Sequence, residues 1–447
     1  MGKRRRALTA VLCLVVAAGW VSAVRADEVT YWNGVALDIM KETSTIPPKV
    51  GRDLAIMHSA IYDAVNAIDR THMSMFFEPA VTGPASKEAA VAGAAHQALV
   101  ALYPDHETAL DAMFTSRLAT MANGSATTNG VALGQSVADS MLTLRASDGS
   151  GASVSYPGGT APGQWRPTPP GYKPATAPQW GNVTPFAILS AKQFTPGPPP
   201  VLTSQEYAAA VQETQRLGGS NNTARTAGQT QIADFWADSP GPTASPVGKW
   251  NLIAQGLAVQ QGNSLAENAR MFALLDVTMA DAGIVCWNTK YEYGLWRPED
   301  AIHLADTDGN PATVADPTWT PLLTSPSFPE YTSGHSTFSA SAAEVLGLFF
   351  GTDEISFSTT AGFDVLPGVT RSYDSLMQAA MEAGMSRIYG GIHFDFSNVI
   401  GREVGISVAD YVFATTAQQI PVPGSVVLVL IGAACLRRVR RVLRSKS

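Results

Sequence analysis

Cysteine is scarce in this chain: three among 447 residues, at Cys13, Cys286 and Cys435. Cys13 and Cys435 fall in the two apolar ends, so no intramolecular disulfide can staple the middle. A chain this long, 45% hydrophobic, buries enough area to do without one. Charge is sparse as well, at 15% of residues. Eleven of the 30 Lys/Arg and none of the 37 Asp/Glu lie in residues 1–26 and 421–447, which leaves 19 against 37 between them, a net of −18. That sign argues against nucleic acid as a partner. It also makes any cations that converge on one site a local feature and not background. Sustained apolar–polar alternation is missing too, so no strands are read. Long uncharged apolar runs are confined to the ends.

At the N-terminus, Lys3, Arg4, Arg5 and Arg6 precede an apolar run from Ala7 to Trp20. Ala23 and Ala26 follow, each with Val two places before it. This is the pattern of a signal peptide over residues 1–26. At the other end, Ile420-Pro421-Val422-Pro423-Gly424 leads into an apolar stretch to Leu436 and a basic cluster from Arg437 to Lys446. A turn, an apolar segment and a basic stop resemble the bacterial PEP-CTERM sorting signal over 420–447, with Pro-Val-Pro-Gly where that signal carries Pro-Glu-Pro. A plain C-terminal membrane tail with positive-inside residues has the same features. Both readings place the protein outside the cytoplasm (periplasm, cell surface or extracellular), with transient membrane association through the C-terminal segment.

Between the ends the chain reads as all-α. Helical spacing is seen over 52–70, where Leu54, His58, Ile61, Val65 and Ile68 form one stripe, and over 87–102, 107–121 and 129–145. These fill an N-terminal helical region, 27–150. A Pro/Gly-rich connecting segment, 151–202, excludes regular helix, and Trp165 and Trp180 suit it to pack down as a cover. A second helical region, 203–419, holds helical patterns over 204–218, 224–238, 247–262, 265–289, 334–350, 372–389 and 399–413. Ser264-x-x-Glu267 is a capping box.

Three short segments carry the chemistry. Ser333-Gly334-His335 precedes Phe338, Ala342, Val345 and Phe349 at helical spacing, so Ser333 stands at an N-cap. Free N–H groups there form an anion site, beside which His335 projects. An ordinary capped helix with a surface histidine reads the same way. Lys290 and Arg297-Pro298 sit in an aromatic stretch with Trp287 and Trp296, and buried cations need anionic partners. Glu292, Glu299 and Asp300 are local alternatives. Arg387 and His393 flank Gly390-Gly391, where a ligand has room, although a core histidine bonded to a carbonyl also fits. Asp306-x-Asp308-Gly309-Asn310 begins like a calcium loop, but its twelfth position is Pro317, so it reads as a turn.

Taken in order, Lys290-x6-Arg297-Pro298, Ser333-Gly334-His335 and Ser386-Arg387-x5-His393 resemble the signature of the type 2 phosphatidic acid phosphatase superfamily, which includes the vanadium-dependent haloperoxidases. Trp287, Glu292, Trp296, Phe328-Pro329-x-Tyr331 and the segment 233–238 are similar to the chloroperoxidase branch. Thr332 replaces a usual Pro, and Ser397 stands where an Asp is usual four residues after His393. The resemblance implies a fold of two helical bundles and a possible homodimer. It implies vanadate bonded by His393 and surrounded by Lys290, Arg297, Arg387, Ser333 and Gly334. His335 would be the general acid–base, Asp238 would hold arginines, and Asp395 would take over as partner of His393. The activity implied is oxidation of halide by hydrogen peroxide, with Lys290 polarising the peroxide; Phe328 is similar to chloroperoxidases. Phosphate fits the same site, and hydrolysis of a phosphate ester through a phosphohistidine at His393 is the alternative. A non-catalytic oxyanion-binding surface protein is a third.

Overall fold

A computed structural model describes residues 27–221, 223–239, 241, 243–361 and 366–420. The signal-like segment and the C-terminal sorting-like segment from Pro421 onward lie outside the described residues. Thirteen α-helices follow in order: α1 Glu28–Glu42, α2 Pro47–Asp69, α3 Lys87–Leu102, α4 Glu107–Leu118, α5 Ser125–Arg145, α6 Gln205–Gly218, α7 Ala227–Phe235, α8 Ser245–Gln261, α9 Leu265–Tyr293, α10 Pro298–His303, α11 Gly334–Phe350, α12 Leu376–Tyr389 and α13 Asp395–Thr415. One antiparallel hairpin, β1 Phe357–Thr360 with β2 Thr370–Tyr373, is the only sheet among the described residues. The all-α expectation holds. The hairpin, α1 and α10 are additions to the sequence reading. The helix expected from Ser372 starts after the Ser375 cap instead, because Thr370–Tyr373 pairs with β1.

Local chemistry explains most boundaries. Asp27 accepts the Thr30 N–H at 2.9 Å and starts α1. Ser86, Ser204 and Ser375 do the same for α3, α6 and α12. The Ser264–Glu267 capping box forms as expected. Pro298 opens α10 and leaves Arg297 extended at its N-cap.

The long α9 is the axis of the molecule. One face of α2 packs on it, with Gly51 against the Ala280 backbone. On another side α11 and α13 pack, and Gly405 lets α13 approach the Thr337 carbonyl closer than a Cβ would allow. The apolar core runs without a break from α1 and α2 through α9 to α11–α13. The Pro-rich segment has almost no regular structure, yet it is tied down. Asp281 on α9, fully buried, accepts the N–H groups of Phe186, Ala187 and Ile188 at 2.7–2.9 Å. Trp165 and Trp180 are buried beneath it, as a covering segment requires. No helix of the described residues is long and apolar enough to cross a membrane.

Candidate functional site

A cavity of about 810 Å³ has Trp287, Phe328, Gly334, His335, Arg387 and His393 in its lining. Ser333 caps α11 as expected: its Oγ accepts from the Ser336 N–H at 3.3 Å and from the Ser336 hydroxyl at 2.8 Å. The Ser336 hydroxyl also reaches Asn398 Oδ1 at 2.9 Å, so the three side chains form one buried network. The amides at the start of α11 add donors and the positive end of the dipole. α12 ends at the Gly390–Gly391 turn, where Gly391 takes φ +75° and packs against Gly218 too closely for a side chain. That turn delivers His393 beside α11.

The histidine is oriented from both sides. His393 Nδ1 lies 2.7 Å from Glu330 Oε1, and Nε2 lies 3.2 Å from Arg297 Nη1. With Nδ1–H donated to Glu330, Nε2 is the acceptor nitrogen and takes a hydrogen bond from Arg297 Nη1. Burial, then Arg297, Lys290, Arg387 and His335, hold His393 well below the ordinary histidine pKa, so it is neutral. Sequence reasoning missed Glu330. The Asp395 carboxylate, expected as the partner of His393, accepts from Asn398 at 3.2 Å instead. Asp395 begins α13, which turns it away from the imidazole. Ser397 ties the segments differently: its carbonyl accepts the Ser333 N–H at 3.1 Å.

The three cations differ in what they have left to give. Arg297 donates Nε to the Phe328 carbonyl and Nη1 to the Ile392 carbonyl, each at 2.8 Å, while Nη2 is buried without a partner. Arg387 donates to the carbonyls of Ala233 and Trp236 and to Ser386 Oγ. Desolvation pushes both guanidinium groups down to about 10, still protonated at neutrality. Lys290 Nζ donates to the carbonyls of Pro329, Glu330 and Thr332, which matches its three hydrogens. Burial lowers its pKa. The Phe328 ring lies 4.8 Å from Arg297 and 4.9 Å from Lys290, with Trp287 stacked obliquely behind it.

His335 faces the same cavity with Nε2 buried and unpartnered. Its pKa is well below the value near 6.5 that the sequence suggested. Burial is the main cause, with Arg387, Lys249 and Lys290 adding to it and a hydrogen bond to Trp236 opposing them. A bound oxyanion would offset the part of the shift due to those cations. Asp238 does not bond an arginine directly. Its Oδ1 meets Lys249 Nζ at 3.4 Å and Oδ2 is unpartnered, while Arg387 is felt through space. Lys249, itself buried and lying over Phe235 and Trp236, is a further cation that no motif announced.

These residues fit a tetrahedral oxyanion. A neutral imidazole, an unpartnered guanidinium nitrogen and helix-terminal amides beside buried cations are groups that vanadate or phosphate needs. Asp308, by contrast, closes its own turn onto Asn310 and Thr313.

Residues 270–421 match the family described as the VCPO second helical-bundle domain. The chain is 26% identical to the vanadium chloroperoxidase of Curvularia inaequalis, over 84% of this chain and 80% of that protein. A solved bacterial vanadium-dependent iodoperoxidase superposes with a TM-score of 0.77 at 29% identity, covering 88% of this chain and 97% of that one. A holo-type bacterial vanadium-dependent chloroperoxidase, 17% identical, shares the fold with a TM-score of 0.65 over 83% of this chain and 93% of that one. The chain is related to the vanadium haloperoxidases.

Proposed function

We propose that this protein is a vanadate-dependent haloperoxidase that uses hydrogen peroxide to oxidise halide to hypohalous acid. The observation that carries this reading is the contact of His393 Nε2 with Arg297 Nη1 at 3.2 Å beside a cavity lined by His335, Arg387 and Gly334, with Arg297 Nη2 and His335 Nε2 buried and unpartnered. His393, Arg297, Arg387, Ser333 and Gly334 would hold vanadate, which when bound supplies Lewis acidity toward peroxide. His335 turns an unpartnered Nε2 to the cavity and would accept a proton there from an approaching peroxide. Lys290 braces the 329–332 loop through its three carbonyl contacts and adds its charge from behind. Iodide gives up electrons most readily among the common halides, and the related iodoperoxidase favours trying it first. Phe328 keeps chloride within the test. The signal-like and sorting-like ends support an exported protein.

The test strips the protein of metal, titrates in vanadate, and follows oxidation of iodide, bromide and chloride by hydrogen peroxide. Saturable activity is expected, falling at least ~100-fold in His393→Ala. A folded protein without halide oxidation at any vanadate level overturns the reading. Hydrolysis of phosphate esters in that protein would carry the phosphatase alternative.

A further inference from the structure

Glu330 is a carboxylate with 0% exposure that touches no lysine or arginine side-chain nitrogen within ion-pair distance. Such a group is costly to keep inside a protein unless its bonds are specific. Here they are. Oε1 receives both His393 Nδ1–H at 2.7 Å and the Phe394 N–H at 3.0 Å. Its main chain is fixed from two sides, donating to the Leu295 carbonyl at 2.9 Å and accepting from Lys290 Nζ at 3.1 Å. The two bonds to Oε1 hold the carboxylate against the ring, and the ring cannot flip without losing its partner.

We propose that Glu330 is a positioning residue of the oxyanion site. It fixes the Nδ1–H tautomer and the plane of His393, and it makes Nε2 a stronger donor to the central atom of the bound oxyanion. A carboxylate on the far nitrogen of a ligating histidine has this effect at metal sites generally. One effect opposes it, because Glu330 also repels an anion. Burial raises the Glu330 pKa to about 7, and the Phe394 N–H, Arg297 and Lys290 oppose that rise and limit the repulsion. The bond at 2.7 Å acts directly on the ring, and the change of affinity in Glu330→Gln reads which effect wins. The inference rests on the vanadate reading for the identity of the oxyanion but not for the tautomer.

Two variants separate the contributions. Glu330→Gln keeps an acceptor for Nδ1–H and removes the charge. Glu330→Leu removes both at similar volume. Vanadate binding to the full chain is measured by equilibrium dialysis at one pH, with inorganic phosphate as a second probe. The His393 ring protons are located by nitrogen-15 NMR without any ligand. Wild type should carry the proton on Nδ1. Glu330→Gln should bind vanadate about tenfold more weakly and Glu330→Leu about a hundredfold, with the halide KM at saturating vanadate unchanged within twofold. A residue that only props up the fold would move KM and the melting temperature together.

Wild-type affinity in Glu330→Gln, or a wild-type proton on Nε2, overturns the proposal. Should Glu330→Leu fail to fold, Glu330→Gln and the wild-type NMR decide it alone. A wild type that binds no vanadate overturns the vanadate reading. The positioning proposal is then decided by the proton's location and by the change in phosphate affinity in Glu330→Gln.

Discussion

Arg297 and Lys290 belong to one motif but hold different stocks of unspent donors. Arg297 uses two nitrogens on backbone carbonyls and still has Nη2 to offer, whereas Lys290 already has three carbonyl partners. A lysine at position 297 could not reach both carbonyls and an oxyanion at once, because the guanidinium fork does the spanning. Arg297→Lys is therefore expected to weaken vanadate binding by about 100-fold, as losing one or two charge-assisted bonds would. Equilibrium dialysis reads this directly. Asp395→Ala should change vanadate affinity less than twofold, since Asp395 bonds Asn398 and not His393. It should lower stability by about 0.5 kcal/mol through its place in the first turn of α13; a tenfold loss of affinity would restore Asp395 as the partner of His393. The motif residues were legible because their order and spacing are fixed. Glu330 was not, because it is the unspecified position in Phe328-Pro329-x-Tyr331 and its partner lies 63 residues away. No local pattern marks an acid that is buried against a distant histidine.

Helices were legible wherever an apolar stripe met a cap. The bounds expected for 87–102 and 334–350 match α3 and α11, with Ser86 and Ser333 as their caps. The α1 stripe of Val29, Trp32, Ala36, Leu37 and Met40 has the same spacing but abuts the signal-like segment, which blurs its start in the sequence. The hairpin could not be read, since its strands have four residues each and polar, largely exposed faces. On α2 the stripe residue His58 bears a consequence for stability. It is fully buried, stacked on Phe272 and bonded to Asn33, with Asp276 at 3.7 Å. Burial lowers its pKa to about 3. The unfolded chain takes up the proton near ~6.5 and the folded one does not, so stability is lost as pH falls from there toward 3. In His58→Gln that loss is absent, and Asp276 contributes to both proteins. The wild type's stability relative to His58→Gln should shrink by up to about 1.4 kcal/mol per pH unit between pH 6 and 4. Urea melts at pH 7, 6, 5 and 4 measure it, and a constant difference would show that His58 is protonated in the fold.

Across the whole molecule two charge scales compete for a halide. The site concentrates Lys290, Arg297, Arg387 and Lys249 within reach of one cavity, but Glu330 and Asp238 stand among them. Residues 27–420 carry a net of −18, and the full chain is still negative at −7. Partly compensated, buried cations act over a few ångströms, whereas net charge acts over the Debye length, about 30 Å at 0.01 M salt and about 8 Å at 0.15 M. A halide approaching from bulk at low salt therefore meets repulsion before it meets the pocket. Screening should remove the repulsion and leave the pocket's short-range attraction nearly intact. The kcat/KM for halide, measured at saturating vanadate and peroxide, is expected to rise about two- to fivefold from ~0.01 to ~0.15 M sodium nitrate. A fall over that range would mean that the cationic pocket governs the approach from afar, as it does in enzymes that steer their substrates. The sequence made the sign of this effect legible through its scarcity of basic residues outside the two ends. Its size depends on how far Glu330 and Asp238 cancel the pocket, and only the folded arrangement of side chains sets that.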